Sequence, residues 1–245
     1  MATPDWTLLA VALGLVTLLL LVLSRASARL VAAGPPPGDS GAVPEAKSAP
    51  VPTGGALLAN VALTHGGLLV VLVGLVWYAE IPVDAVGAGE PSAAVIALGL
   101  AIGVGIYLAS ETSTALADRF GVEYDERLRK LLAPNGPAQW AVLLLVVLPV
   151  IAGAEELLFR GLLVGAFGAG FGLHPLVLVP GSSVLFGLGH SAQGGVGVVV
   201  TAALGVVLGV AFVWTGSLAV VVVAHYVVDA LEFVVREGLL SGSGP

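Results

Sequence analysis

Residues 6–23 form an unbroken run of 18 apolar or small residues without a charge, and comparable runs recur along the whole chain. Coiled into a helix, about 18 residues at ~1.5 Å each nearly cross the ~30 Å of hydrocarbon in a bilayer. Seven such stretches can be drawn, over 6–23, 56–78, 93–110, 138–167, 175–189, 196–214 and 217–235. Composition agrees. Hydrophobic residues make up 58% of the 245 and charged ones 10%, against roughly 45–50% and 25% in soluble domains. So few charges cannot coat a water-soluble surface. The sequence predicts an all-α, polytopic bundle of about seven spans, with six to eight within reach of the same pattern.

The segments between the runs divide the chain. Residues 1–33 read as an N-terminal anchor, because a secretory signal would begin with basic residues and this one begins with Asp5. Residues 34–55 carry Pro35, Pro36, Pro37, Pro44, Pro50 and Pro52 and read as a flexible linker. Residues 56–137 hold two spans and a charged stretch over 111–132, expected as a cytoplasmic surface helix. Residues 138–236 hold the remaining spans, and 237–245 read as a flexible tail. Pro149 is a candidate kink in the fourth span.

Eight of the nine basic residues fall outside the spans, after the first, third and seventh. Asp5, Glu80, Asp84 and Glu90 fall on the opposite side without a base. The positive-inside rule then puts the N-terminus outside a cell membrane and the C-terminus in the cytoplasm. The acidic, Ala-, Val- and Gly-rich composition is expected of a prokaryote. The net charge of −7 argues against a nucleic-acid partner, which needs clustered Lys and Arg. With no cysteine, disulfides, thiol nucleophiles and thiolate metal sites are excluded.

The informative residues are the charges within the spans, where each costs at least ~2.5–3.5 kcal/mol on insertion scales. Glu155, Glu156 and Arg160 lie in the fourth span. His190 ends the fifth, and His225, Asp229 and Glu232 lie in the seventh. Glu156 and Arg160 are four apart, share a helix face and can pair. Glu155 lies about 100° around the helix from Glu156 and is free to point elsewhere. Phe186 with His190, and His225 with Asp229, repeat the four-residue spacing. Three helices thus offer polar stripes to one interior. His65 stands alone in the second span and reads as a helix-contact or interface histidine. His174, beside Pro175, reads as a loop residue.

Glu155-Glu156-Leu-Leu-Phe-Arg160 fits EExxxR, Phe186-Gly-Leu-Gly-His190 fits FxxxH, and His225-Tyr-Val-Val-Asp229 fits HxxxN/D. In this order, on separate apolar spans, the three motifs resemble the CPBP, or Abi, family of intramembrane proteases, which includes the type II CAAX prenyl endopeptidases. The resemblance covers about 138–235. It implies peptide hydrolysis by activated water, with Glu155 and His190 activating the water and His225 and Asp229 facing the oxyanion. Glu156 and Arg160 would be structural, and Phe186 would pack beside the site. Asp229 stands where the pattern also takes Asn, and an ionised Asp would repel an oxyanion unless protonated, cation-bound or engaged in orienting His225.

The same residues leave other chemistry open. Glu155, His190 and His225 are possible zinc ligands, with water as a fourth, although no HExxH is present. The family is described both as metalloprotease and as metal-free glutamate peptidase. Intramembrane carboxylates and histidines also serve proton- or cation-coupled transport, and a non-catalytic scaffold or immunity protein could keep the same fold. The expected partners are membrane lipid and a peptide or lipidated-protein substrate.

Overall fold

A computed structural model describes residues 3–32, 54–119 and 127–239. The described residues form eight helices and no strand: α1 (Trp6–Ala32), α2 (Gly54–Tyr78), α3 (Ala93–Arg119), α4 (Arg127–Leu132), α5 (Pro137–Phe171), α6 (Pro175–Gly189), α7 (Gly194–Thr215) and α8 (Leu218–Phe233). Most of the proline-rich segment, residues 120–126 and the last six residues lie outside the described part.

Six of these helices are long and apolar enough to cross a membrane, and the chain is a multi-pass membrane protein. The fifth predicted span is the exception. α6 has 15 residues, about 22 Å, because Pro175 opens it and His190 closes it. It runs antiparallel to α7, with Gly187 against Val198 and Val179 against Gly209, and in the same direction as α1. At its start, Gly170 of α5 lies against the Trp6 ring of α1. At its end, Ser24 of α1 donates to the Gly189 carbonyl at 2.5 Å. Trp6 and Ser24 are one hydrocarbon thickness apart on α1.

Within the expected surface helix over 111–132, the first part, through Arg119, continues α3, and Arg127–Leu132 form α4; residues 120–126 lie outside the described part. Of the predicted tail, residues 237–239 end a wide, π-type turn that continues α8 over 234–239, and 240–245 lie outside the described part.

Helix ends gather at two faces. Asp5 N–H donates to the Ala79 carbonyl and Leu218 N–H to the Gly87 carbonyl, which gathers the acidic loop after α2 with the starts of α1 and α8. At the other face Arg236 meets Glu111 at 2.7 Å, and Arg129 meets Glu237 at 3.4 Å and Glu232 at 3.9 Å. Between the faces the outside of the bundle is apolar. Leu15, Leu63, Val70, Leu145 and Val199 are exposed, as expected of side chains that meet lipid tails.

α5 is the central pillar. It departs from α-geometry over Leu143–Val147 and again over Leu157–Ala166, where the turns widen to π. The first departure has a local cause. Pro149 has no N–H for the carbonyl four residues back, at Leu145, and its ring crowds that carbonyl. A wider turn relieves both, so the expected kink appears as a π-bulge.

α8 is pressed against α3 by glycines. A Cβ on Gly99 would meet Val223 Cβ at 2.7 Å, and one on Gly103 would meet the Ala224 carbonyl at 2.6 Å. Helices that lack these side chains can approach closely without a hydrophobic drive from water. α7 and α6 are joined in the same way through Gly205 against Ser183 and Gly209 against Val179. These contacts position α6 and α8, which carry two of the site histidines, against α5.

Candidate active site

Glu155 and Glu156 end the middle α-helical part of α5, just before its second π stretch. Both are buried. They point to different partners, as their angular separation predicts.

Glu156 is held from two sides. Its Oε1 accepts from Arg160 Nη1 at 2.7 Å and from His225 Nδ1 at 2.7 Å. Arg160 also donates to the Gly205 carbonyl at 3.1 Å, and its guanidinium carbon lies 4.6 Å from the centre of the Phe186 ring. The Glu156–Arg160 pair is therefore as expected from spacing, and it also holds the His225 ring. Phe186 is more central than a neighbour. Its ring meets Phe159 at 5.0 Å, His190 at 4.8 Å and His225 at 5.9 Å, each edge-on. It forms a common wall that fixes the two imidazoles and the guanidinium.

Glu155 faces three imidazoles from three other parts of the chain. Its Oε1 lies 3.5 Å from His65 Nε2 and 3.8 Å from His190 Nε2, and its Oε2 lies 3.8 Å from His225 Nε2. The other ring nitrogen of each histidine is occupied. Nδ1 of His65 faces the Val61 carbonyl at 3.0 Å, Nδ1 of His190 faces the Phe186 carbonyl at 2.9 Å, and Nδ1 of His225 faces Glu156. Carbonyl and carboxylate oxygens only accept, so each ring donates through Nδ1–H and turns Nε2 inward. Asp229 Oδ2 lies 3.5 Å from His225 Nε2. Glu155 Oε2 is buried and has no hydrogen-bond partner among the described residues.

The structure thus brings Glu155, Glu156, Arg160, Phe186, His190, His225 and Asp229 together. Glu232 belongs elsewhere, with Arg129 at the basic face. His174 caps α6, accepting from Leu176 N–H at 3.2 Å. His65, expected as a helix-contact or interface histidine, makes a contact between α2 and α5, and its partner there is Glu155. His65 has no motif around it, and only its position as an ionisable side chain in mid-span could have flagged it.

A zinc ion needs nitrogen and oxygen ligands about 2.0–2.2 Å from one centre. The three imidazoles approach two different oxygens of the same carboxylate. Among the described residues no group of three or more His, Asp and Glu is arranged to hold a metal ion. The metalloprotease expectation gains no support from this arrangement.

The site can transfer protons. A buried carboxylate sits beside Nε2 atoms whose tautomers are set by fixed acceptors, and a further carboxyl at Asp229 borders them. No curated protein matches the chain, and no solved structure matches it. Residues 137–231, which hold every motif residue named above, match the family model described as type II CAAX prenyl endopeptidase Rce1-like. Over residues 137–231 this polytopic helical protein is therefore similar to the Rce1-like members of the CPBP family.

Proposed function

We propose that the chain is an intramembrane endopeptidase that hydrolyses peptide bonds with water activated by Glu155 and His190. The observation that carries this reading is the buried Glu155 carboxylate facing histidine Nε2 atoms from several elements.

In this reading Glu155 takes a proton from water as the water oxygen bonds to the substrate carbonyl carbon. His190, held by its Nδ1–H on the Phe186 carbonyl, orients the water through Nε2. Negative charge moves to the carbonyl oxygen. His225 faces it, since a ring that donates Nδ1–H to the Glu156 carboxylate can also carry a proton on Nε2. Glu156 thus acts on His225 as an orienting carboxylate acts on the histidine of a hydrolase triad. Asp229, beside the same Nε2, holds that ring or, protonated, donates to the oxyanion itself. The intermediate collapses when the C–N bond breaks and the proton on Glu155 passes to the leaving nitrogen. Arg160 neutralises Glu156 and takes no proton.

The membrane setting and the family description support a membrane-associated peptide as substrate, with a prenylated C-terminal peptide as the first candidate. We place the basic face in the cytoplasm, by the positive-inside rule, and the N-terminus of α1 outside.

The test is cleavage of a panel of lipidated and membrane-spanning peptides by the purified chain in liposomes. Cleavage is expected, with a loss of about 10²–10⁴-fold in Glu155→Gln. A chain that cleaves none of the panel but moves protons or cations across the liposome would overturn the reading in favour of transport.

A further inference from the structure

We infer that His65, on α2 and outside the segment matched by the family model, is a positioning residue for Glu155, so that the N-terminal part of the chain completes the site. The inference builds on the hydrolase reading.

Several observations support it. His65 Nε2 lies 3.5 Å from Glu155 Oε1, the shortest of the three imidazole approaches to that carboxylate. The ring cannot easily turn away, because its Nδ1–H is tied to the Val61 carbonyl one turn back at 3.0 Å and lies 3.5 Å from Thr64 Oγ1; the contact with Glu155 is then made through a proton held between Nε2 and Oε1. α2 is seated on α5 on both sides of the contact, Leu58 clustering with Leu143 and Val147 and Leu72 with Leu157 and Leu158. Gly66 faces Val150, and Leu69 faces Gly153, each at the 3.9 Å a methyl group would need. A histidine that served only helix packing would be satisfied by Val61. This one directs its second nitrogen at a carboxylate.

The two oxygens of Glu155 then have different surroundings. Oε1 is bracketed by His65 and His190, from α2 and from the end of α6. Oε2 turns toward His225 and Asp229 and lacks a hydrogen bond among the described residues. A glutamate has three side-chain torsions, and the carboxylate end is the least restrained of them. His65 removes that freedom. It presents Oε2 to the side where His225 would meet the substrate oxygen. Without His65, His190 would hold Oε1 from one side only, at 3.8 Å, and His225 would approach only the other oxygen, also at 3.8 Å.

The experiment uses the full chain and has two readouts. The first is kinetic. His65→Ala is expected to lower kcat about tenfold to a hundredfold, as for other outer-sphere partners of a reacting group, with KM nearly unchanged. His65→Gln, whose amide nitrogen reaches the place of Nε2, should recover part of that loss. The second needs no activity. The chain has four histidines, so imidazole ¹⁵N resonances can be assigned by single substitutions. Glu155→Gln should move the His65 Nε2 resonance. An unmoved resonance, or a wild-type kcat in both His65 variants, overturns the inference. If the resonance follows Glu155 while the wild-type chain cleaves no peptide, the pairing is upheld and the hydrolase reading is refuted.

Discussion

Glu156 is held by two partners, and removing its charge affects them differently. Glu156 is fully buried and Arg160 is 1% exposed, with 2.7 Å between them. Glu156→Gln leaves the guanidinium buried without a counter-charge. Breaking a buried pair from one side costs about 3–5 kcal/mol, and for a chain of this size each kcal/mol moves Tm by about 2–4 °C. The single variant should therefore unfold roughly 6–20 °C lower in detergent. Replacing both members is different, because well-packed apolar substitutes for a buried pair are often neutral or better. Methionine at 160 can keep the contact with the Phe186 ring, so Glu156→Gln with Arg160→Met should regain most of the lost Tm. Activity should not return with it. The amide at 156 supplies no negative charge to His225 Nδ1–H, and a proton on His225 Nε2 loses its support. Thermal unfolding and peptide cleavage, measured on the wild type and the two variants, separate the effects. A single variant within about 1 kcal/mol of wild type would refute the buried-pair argument. A double variant that regained full cleavage together with its Tm would refute the role given to Glu156 in holding His225.

Three further outcomes are expected. Gly103→Ala would put a methyl 2.6 Å from the Ala224 carbonyl and 2.7 Å from Val227 Cβ; it should cost about 1–3 kcal/mol in thermal unfolding and lower cleavage by displacing His225, whereas Gly105→Ala, with nothing within 4 Å, should be silent. Asp229→Asn should keep cleavage within about tenfold of wild type and Asp229→Ala should lose more, since the amide still reaches His225 and can donate to an oxyanion at a cost typical of one such donor; equal loss in both would mean that the carboxyl itself is required. The chain has no cysteine, so single cysteines at Gly89 and Asn135 can be probed in intact cells with a membrane-impermeant maleimide, which should label the first and spare the second; the reverse pattern would invert the orientation proposed above.

Much of this arrangement was legible in the sequence for a simple reason. A charge in a lipid-crossing helix is expensive, so each one that is present points to a partner, and the four-residue spacings in α5, α6 and α8 predicted which side chains share a face. Glu156 with Arg160 follows from spacing alone. What spacing cannot supply is contact between helices distant in sequence. His225 meets Glu156 across 69 residues, and His65 meets Glu155 across 90, from a helix with no motif. The cost argument applied to His65 as much as to His190, and the isolation of His65 in the sequence concealed it. Where termination is local the boundary was legible: Pro175 and His190 bound α6 at the predicted residues 175–189. It failed at α3, which the charges after 110 continue because nothing before Arg119 breaks it.

The length of α5 has one more consequence. Thirty-five residues make a rod of about 52 Å, some 20 Å more than the hydrocarbon it crosses. Glu155 lies near its midpoint, about 27 Å from Pro137 and about 24 Å from Phe171. A peptide bond brought to that depth would arrive from a region where backbone groups are obliged to bond one another. In a helical substrate the bond would be enclosed by its own turns and closed to attack. The depth of the carboxylate would thus act as a filter on backbone conformation. It would favour chains that enter already extended, such as a C-terminal tail, or that unwind cheaply at glycine or proline, and would leave an uninterrupted transmembrane helix intact whatever its side chains.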